Sequence, residues 1–307
     1  MPELPEAEVV RAGLAPAVSG ATVRHVEVAD ARSLKRHRGP AQDFVDRLTG
    51  RSLLAAVRRG KFIWLPIAPA SASQPVPDEA VVLHLGMSGQ ALLRTLDAPR
   101  ERHLRVRLHL ALPMGEELAL HFVDQRIFGS LAIDDLLPDD RPSGHAGEAD
   151  GPWRRTVPSQ VSHIARDPLD PDFDAARFAA ALHRRRSEIK RALLDQTLVS
   201  GIGNIYADEA LWASRIHPRT PADALTGEQV VTLLDAVRTV LQAALAAGGT
   251  SFDAQYLNVN GQAGYFEREL NAYGRHGEPC RRCGATIVRE SFMNRSSHYC
   301  PVCQTTT

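Results

Sequence analysis

The sequence predicts an α+β protein of several domains, with a β-sandwich at the N-terminus, a helical domain after it and a cysteine-rich β-hairpin at the C-terminus. Three observations predict this class. Short runs of alternating residues fill positions 21 to 133, apolar residues recur with the helical period after position 173, and all four cysteines lie in the last 28 residues. A chain of 307 residues suffices for about two domains with cores of their own.

The N-terminal domain is predicted to span residues 1–137. Residues 6–18 carry apolar side chains at helical spacing and predict a helix directly after the N-terminus. The predicted strands are Thr22–Val28, Leu53–Val57, Phe62–Ile67, Val81–Leu85, Ala91–Leu96, Leu104–Leu112 and Leu118–Val123. Residues 138–172, rich in proline, glycine and acidic residues, predict a linker between domains.

A helical domain is predicted over residues 173–271. Helices are expected at 174–183 and 187–197, and a capping box at Thr226-Gly227-Glu228-Gln229 opens a third, apolar-striped helix. Between the helices, Gly201-Ile202-Gly203 is either a tight connection or a turn whose backbone N–H groups approach a phosphate at the next helix N-terminus.

The four cysteines form two CxxC pairs separated by sixteen residues, within a terminal domain predicted at 272–307. This spacing is typical of a zinc ribbon, in which four thiolates enclose one structural Zn²⁺ and leave no open position for chemistry. The alternative, two disulfides, fits poorly with the cytoplasmic location that we expect from an N-terminus without the basic and apolar stretches of a signal peptide. The predicted ligands are Cys280, Cys283, Cys300 and Cys303.

Charge and hydropathy narrow the classes of function. Lys plus Arg and Asp plus Glu balance at 36 each, so net charge does not indicate a nucleic-acid-binding protein and only local basic clusters could. Such clusters occur at 58–61, 100–107 and 184–191, where each is either a solvated face or the border of a site. We find no apolar run of about 20 residues, and therefore expect a cytoplasmic protein without a membrane segment.

The N-terminus carries a chemical signal. Removal of Met1 leaves Pro2 with a secondary amine, which attacks a carbonyl or hemiacetal carbon to give an iminium directly. An α-amino group has a reference pKa of about 7.7 to 8.0, so much of it is unprotonated near neutral pH. Glu3 and Glu6 lie within reach of this amine in the sequence. The alternative interpretation is an ordinary frayed terminus.

Several motifs together resemble bacterial formamidopyrimidine-DNA glycosylase over nearly the whole chain. They occur in the family's order and comprise PELPE at 2–6, RGKF at 59–62, HLGMSG at 84–89, DQRIFG at 124–129, LDQ at 194–196, GIGNIYADE at 201–209, GGTS at 248–251, GYF at 264–266, YGR at 273–275 and the cysteine ribbon. The resemblance implies a helix-two-turn-helix element, which binds double-stranded DNA containing oxidised bases or abasic sites. It also implies a monomeric, bifunctional glycosylase and lyase for oxidised purines such as 8-oxoguanine and formamidopyrimidines.

The resemblance assigns roles residue by residue. The Pro2 nitrogen attacks C1′ of the damaged nucleotide, and Glu3 acts as general acid and base while Glu6 holds the terminus. Lys61, expected on a β-strand, contacts the lesion or its phosphate and assists elimination. Arg295, in the zinc hairpin, binds the phosphate beside the lesion.

DNA contacts follow from the same resemblance. Met87 and Phe128 fill the gap left by the flipped nucleotide, and Arg126 pairs with the orphaned cytosine. Ile127 departs from the family's usual residue, which we expect to matter little because its side chain would point to the other face of a strand. Residues 252–264 correspond to a lid over the flipped base. The expected phosphate contacts are His103, Arg186, Lys190 and Asn204.

Two alternatives stay open at this stage. An endonuclease VIII-like glycosylase would share Pro2 and Glu3 but favour oxidised pyrimidines, and Leu4 together with the gap-filling set argues against it. A non-catalytic zinc-ribbon DNA-binding relative would have a decayed active site, against which the presence of Pro2, Glu3 and Lys61 argues.

Overall fold

A computed structural model describes residues 2–70, 76–139, 151–249, 259 and 269–305. The chain divides into two compact units. The first comprises residues 1–2, 6–163 and 251–264, and the second comprises residues 3–5, 164–250 and 265–307. Helix α1 (Leu4–Val18) therefore begins in one unit and continues in the other.

The first unit is built on one antiparallel sheet. Its strands pair in the order β10-β9-β5-β4-β2-β1-β7-β8-β6, and β3 pairs with β4. Their bounds are β1 Thr22–Val28, β2 Arg51–Leu53, β3 Val57–Arg59, β4 Phe62–Pro69, β5 Glu79–His84, β6 Gly89–Arg94, β7 Leu104–Ala111, β8 Glu117–Asp124, β9 Ser130–Pro138 and β10 Thr156–Pro158. Helix α2 (Ala41–Leu48) follows β1 and a short 3-10 helix at Ala31–Leu34.

The two halves of this sheet share one apolar core, which confirms the predicted sandwich. Leu65 of β4 and Leu83 of β5 line the same small internal space as Val106 of β7 and Phe122 of β8. Alternation along β7 is regular, since its even-numbered residues are buried and its odd-numbered ones half-buried. Strands β9 and β10 were not predicted from the sequence, and the segment expected to be a linker contains β10.

The second unit is helical. Its helices are α3 (Ala175–Leu182), α4 (Ile189–Leu194), α5 (Asn204–Ser214) and α6 (Gly227–Ala246). The capping box predicted for α6 is present, because the Thr226 hydroxyl accepts from the Gln229 amide and the Gln229 side chain accepts from the Thr226 amide. Asp174 caps α3 with a single bond, its carboxylate accepting the Arg177 amide hydrogen.

Helix α6 is long and apolar enough to cross a membrane, with a mean hydropathy of 1.3 over eighteen residues. It is not an uninterrupted apolar run, because Glu228, Asp235 and Arg238 lie within it. Length and composition distinguish poorly between a membrane span and the core helix of a globular domain. Val230, Leu233, Val237 and Leu241 of α6 are buried in the core of the second unit together with α4 and α5, which is the arrangement of a core helix.

A two-stranded hairpin completes the second unit. Strands β11 (Val288–Phe292) and β12 (Arg295–Tyr299) pair antiparallel from Val288 opposite Tyr299 to Phe292 opposite Arg295. Met293 adopts a left-handed backbone conformation in the two-residue turn, with φ at 54°. The hairpin lies between the two CxxC pairs, as a zinc ribbon requires.

Candidate active site and DNA-binding surfaces

The residue after the candidate nucleophile caps a helix. Glu3 is 2% exposed, and its carboxylate accepts amide hydrogens from Gly203 at 2.6 Å, Ile205 at 3.0 Å and Tyr206 at 3.4 Å. These amides form the N-terminus of α5, which has no capping side chain of its own. A carboxylate is favourable there because it satisfies unpaired N–H groups and faces the positive end of the helix dipole.

The two glycines of the GIG turn make room for this N-terminal segment. A Cβ on Gly203 would lie 2.4 Å from Glu3 Cδ, and a Cβ on Gly201 would lie 2.7 Å from Leu4 Cδ1. Leu4 also donates its amide to the Gly201 carbonyl at 2.9 Å. The phosphate-binding interpretation of this turn was wrong, because the anion at the α5 N-terminus belongs to the protein itself.

In the first unit, Pro2 and Glu6 are buried and Lys61 is partly exposed. Lys61 lies in the two-residue turn between β3 and β4, and the expectation that it lies on a strand was wrong. Gly60 precedes it with φ at 57°, a conformation that favours glycine at the first central position of such a turn. The lysine is therefore presented on a hairpin tip of fixed geometry.

Two loops of the first unit present the three residues expected to fill the DNA gap. Met87 is 39% exposed and Phe128 is 46% exposed, although most large apolar side chains described in this unit are buried. The Arg126 guanidinium lies over the Phe128 ring at 4.8 Å, which is a cation–π contact. Exposed apolar side chains of this size, beside an arginine, indicate a binding surface.

A buried carboxylate fastens the two loops together. Asp124 is fully buried and accepts hydrogen bonds from Ser88 Oγ at 2.5 Å, the Gly129 amide at 2.7 Å and the Arg126 amide at 3.2 Å. A Cβ on Gly86 would lie 2.4 Å from the Gly129 amide nitrogen, so the loop backbones are in close contact. The surface formed by Met87, Arg126 and Phe128 is therefore preorganised.

The structure corrects the interpretation of Ile127. This residue does not lie on a strand but in the bend between β8 and β9, with φ at 56°. A left-handed conformation is unusual for a β-branched residue and costs about 1–3 kcal/mol. The Lys35 ammonium donates to the Ile127 carbonyl at 2.7 Å and helps to hold the bend.

His84 is the last residue of β5 and lies near three cationic side chains. Burial and the charges of Arg36, Lys61 and Lys35 lower the pKa of His84 from 6.5 to about 4. Its Nδ1 accepts the Gly86 amide at 3.2 Å, as a neutral imidazole does. The histidine belongs to the HLGMSG motif, and no role was predicted for it from the sequence.

The four cysteine thiols form a site that fits zinc. Their sulfurs all lie within 4.8 Å of one another, and Cys283 and Cys300 Sγ are 3.5 Å apart. Zinc held by four thiolates at about 2.3 Å separates the sulfurs by about 3.8 Å. The Trp212 indole and the Cys303 amide donate to the sulfurs of Cys280 and Cys300, which stabilises thiolates. The chain therefore carries one structural zinc site.

Arg295 is exposed at the start of β12. The strand residues that follow it are hydrogen-bonded to side chains of α4 and α5. The Ser296 carbonyl accepts from Lys190 Nζ and from Asn204 Nδ2, both at 3.0 Å. Asp208 accepts from the Ser297 hydroxyl at 3.2 Å and from the His298 amide at 2.9 Å. The hairpin segment that carries Arg295 is therefore fixed to helices α4 and α5.

Lys190, one of the expected phosphate contacts, lies inside the second unit. Its side chain is fully buried, and its ammonium lies 2.6 Å from Asp208 Oδ1. Burial lowers the pKa of Lys190, although Asp208 and Glu3 oppose this effect. Asn204 is likewise engaged with the hairpin, whereas Arg186 is exposed and His103 is partly exposed.

Sequence reasoning missed the two acidic residues of α5, Asp208 and Glu209. Glu209 accepts the amides of Asn271, Ala272 and Tyr273 at 2.9, 2.8 and 2.8 Å, and burial raises its pKa. Two adjacent acids in an otherwise apolar helix were the available signal. The predicted lid at 252–264 lies outside the described residues except for Val259, whose carbonyl accepts the Leu93 amide.

Profiles of three protein families match the chain in order. The formamidopyrimidine-DNA glycosylase N-terminal domain matches residues 1–131, the formamidopyrimidine-DNA glycosylase H2TH domain matches 164–255, and a zinc finger found in FPG and IleRS matches 277–306.

Two curated relatives, both named formamidopyrimidine-DNA glycosylase, come from Leifsonia xyli subsp. xyli and Thermobifida fusca. The Leifsonia xyli protein is 60% identical to this chain, and the match covers 99% of both chains. The Thermobifida fusca protein is 54% identical, and the match covers 99% of this chain and 97% of the relative. Among solved structures, a Lactococcus lactis Fpg complex with abasic-site DNA has a TM-score of 0.78 at 31% identity, and a MutM complex with DNA containing carbocyclic 8-oxo-G has 0.79 at 31%. Each structural match covers 99% of this chain and 100% of the other. The chain belongs to the formamidopyrimidine-DNA glycosylase family.

Proposed function

We propose that this protein excises oxidised purines from duplex DNA through a covalent intermediate on Pro2 and then cleaves the strand at the abasic site. The glycosylase and lyase activities are those of its family. The observation that carries the residue-level proposal is the exposed set of Met87, Arg126 and Phe128, held on two loops that Asp124 joins.

The chemistry begins at the Pro2 nitrogen once Met1 has been removed. The unprotonated amine attacks C1′ of the damaged nucleotide, the C1′–base bond breaks, and opening of the sugar ring gives an iminium. The iminium acidifies the C2′ proton, whose removal expels the 3′ phosphate, and a second elimination expels the 5′ phosphate. Water then hydrolyses the iminium and frees the amine.

Glu3 supplies proton transfer in this scheme. Its carboxylate is held by three amides at the α5 N-terminus, so its position is set by the backbone rather than by a flexible rotamer. The ionised carboxylate takes the proton that the Pro2 nitrogen loses once it has bonded to C1′, and returns it to the sugar ring oxygen as the ring opens and the iminium forms. Glu6, which is buried, keeps the N-terminal segment in place.

The base must leave the duplex before Pro2 can reach C1′, which costs a few kcal/mol of stacking and pairing. Met87 and Phe128 replace the lost stacking, and Arg126 donates to the unpaired cytosine. The cation–π contact with Phe128 keeps the guanidinium ordered before DNA binds.

Phosphate binding is shared among exposed and supporting residues. Arg295, Arg186, Lys61 and His103 present positive or donor groups to the DNA backbone. Lys190 and Asn204 act by holding the Ser296 carbonyl, and thus the strand that carries Arg295. We also propose that the protein works in the bacterial cytoplasm, in association with the nucleoid.

Borohydride trapping tests the proposal. The purified protein, with its N-terminal residue verified by mass, is incubated with duplexes containing 8-oxoguanine opposite cytosine, with thymine glycol as the comparison lesion. We expect a covalent adduct and strand cleavage on the 8-oxoguanine duplex, both abolished in a variant that keeps a residue ahead of Pro2, because the Pro2 nitrogen is then an amide and no longer a nucleophile. Preference for thymine glycol would favour the pyrimidine-specific alternative, and the absence of any adduct would refute the proposal.

A further inference from the structure

Helix α1 and the turn that carries Lys61 are joined by a buried cluster of Glu8, Arg11 and Arg58. Arg58 Nε donates to Glu8 Oε2 at 2.7 Å, while Arg11 donates to Glu8 Oε1 from Nε at 2.9 Å and from Nη2 at 2.8 Å. The side chains are 2% exposed for Arg58, 6% for Arg11 and 12% for Glu8. One carboxylate therefore bridges two guanidinium groups where little water reaches.

The same arginine also binds the turn. Arg58 Nη1 donates to the Gly60 carbonyl at 3.0 Å, and Gly60 directly precedes Lys61. Arg11 Nη1 donates to the Ala56 carbonyl at 3.3 Å, just before β3 begins. The planar guanidinium of Arg58 thus holds the helix with one nitrogen and the Lys61 turn with another.

Stability alone explains this cluster poorly. Burial raises the pKa of Glu8, but the charges and hydrogen bonds of Arg58 and Arg11 outweigh it and the pKa is lowered, so the carboxylate is ionised. Replacing a buried ion pair by well-packed apolar residues is often neutral or stabilising. What an ion pair with several hydrogen bonds adds is a defined geometry between the elements it joins.

We propose that Glu8 and Arg58 are positioning residues that hold the Lys61 turn in a fixed place relative to the helix that follows Pro2. This inference rests on the proposed function, in which Lys61 contacts the lesion nucleotide. Neither residue touches DNA in this proposal, because both side chains are buried in the first unit.

The main test is Glu8→Gln, which keeps the shape of the side chain and removes its charge. A displacement of about 1 Å at a reacting group costs about 100-fold in rate, so we expect single-turnover excision of 8-oxoguanine to fall about 10- to 100-fold. Affinity for uncleavable abasic-analogue DNA should change less than about threefold, since the DNA-contacting side chains are unchanged.

Arg58→Lys is the second variant. It keeps the positive charge, but an ammonium cannot span Glu8 and the Gly60 carbonyl with the geometry of a guanidinium. We expect a comparable loss of excision with DNA affinity retained. This variant also provides the test if Glu8→Gln fails to fold, as judged by its thermal transition.

Glu79→Gln is a matched control. Glu79 also bridges two arginines, Arg47 and Arg51, in the first unit. It lies at the opposite end of the β4–β5 pair from Phe62, the neighbour of Lys61. The control should lose stability as Glu8→Gln does but keep its excision rate.

Double variants decide whether the cluster acts through Lys61. If it does, adding Glu8→Gln to Lys61→Ala, or Arg58→Lys to Lys61→Ala, should lower excision no further than Lys61→Ala alone. If the fall in excision of a double variant equals the product of the falls in its two single variants, the proposal is contradicted. Excision at the wild-type rate in both Glu8→Gln and Arg58→Lys would contradict it as well. Excision by the wild-type protein tests the proposed function separately.

Discussion

The Glu3 carboxylate accepts the Gly203 amide hydrogen at 2.6 Å, although 200 positions separate the two residues in the sequence. The residue next to the candidate nucleophile is thus fixed by the helix-two-turn-helix segment. The PELPE and GIGNIYADE motifs meet at this hydrogen bond.

This relationship predicts the effect of Gly203→Ala. The new Cβ would lie 2.4 Å from Glu3 Cδ, so the carboxylate must leave the α5 N-terminus. We expect a loss of about 1 kcal/mol in stability, as for a removed helix cap, and a fall in excision of about 100-fold or more, as for loss of an acid–base group. Single-turnover excision and urea unfolding measure the two effects. Gly227→Ala is the control, because within the described residues its Cβ would meet no atom within 4 Å outside its chain neighbours and its own helix backbone. Equal activities of the two variants would contradict this role for Glu3.

The exposed side chains of Met87 and Phe128 predict a defect specific to duplex DNA. Met87→Ala and Phe128→Ala remove the groups that fill the gap, so we expect excision from duplexes to fall about 10- to 100-fold while cleavage of single-stranded abasic DNA is retained, because only the duplex pays the cost of flipping. Met114→Ala is matched in chemistry and lies 91% exposed beyond the end of β7, where it should have no effect. An equal loss on both substrates would argue against gap filling.

Zinc removal predicts a loss of DNA binding. Structural zinc supplies on the order of 10 kcal/mol to a module of this kind, so chelation should unfold the hairpin and release Arg295 from its place. Affinity for abasic-analogue DNA, measured before chelation, after it and after zinc is restored, should fall and recover. Cys280→Ser should behave as the chelated protein does. Unchanged affinity after verified metal loss would show that the hairpin holds its shape without zinc.

The lowered pKa of His84 predicts a pH dependence of stability. The pKa of His84 is 6.5 in the unfolded chain and about 4 in the folded protein, so between these pH values the unfolded state binds more protons. Stability contributed by the neutral imidazole is therefore present above about pH 6.5 and is lost as pH falls towards about 4, by up to about 3 kcal/mol. In His84→Asn, whose side-chain oxygen can accept the Gly86 amide, the free energy of urea unfolding should fall less between pH about 7.5 and about 5. Parallel pH dependences in the two proteins would contradict this assignment.

Local patterns in the sequence were enough for most of the fold. Strand alternation predicted β1 with its observed bounds, and the Thr226 capping box located the start of α6. The paired CxxC motifs predicted the cysteine cluster. β9 was missed because its six residues from Ser130 to Asp135 are nearly all buried, so no alternation marks it as a strand.

The geometry of the candidate site was harder to predict from the sequence, because contacts between residues far apart in the chain determine it. The sequence predicted a phosphate contact for Lys190, but not that its ammonium is buried against Asp208 of the next helix and the Ser296 carbonyl of the hairpin. Ile127 reads as a strand residue, but the bond from Lys35 and the Asp124 network around its neighbours hold it in a left-handed bend.

By itself, the sequence determined the chemistry that this protein has available: a prolyl amine, two acids beside it, four thiolates and the motif order of a DNA glycosylase family. These are properties of side chains and of spacing along the chain. Only the tertiary structure decided how these groups are positioned. Glu3 is held by an amide 200 residues away in the sequence, and the loops that present Met87 and Phe128 are joined by hydrogen bonds to Asp124. The physical reason is that a local pattern fixes backbone period, whereas burial and hydrogen bonding depend on what the rest of the chain brings to the same place.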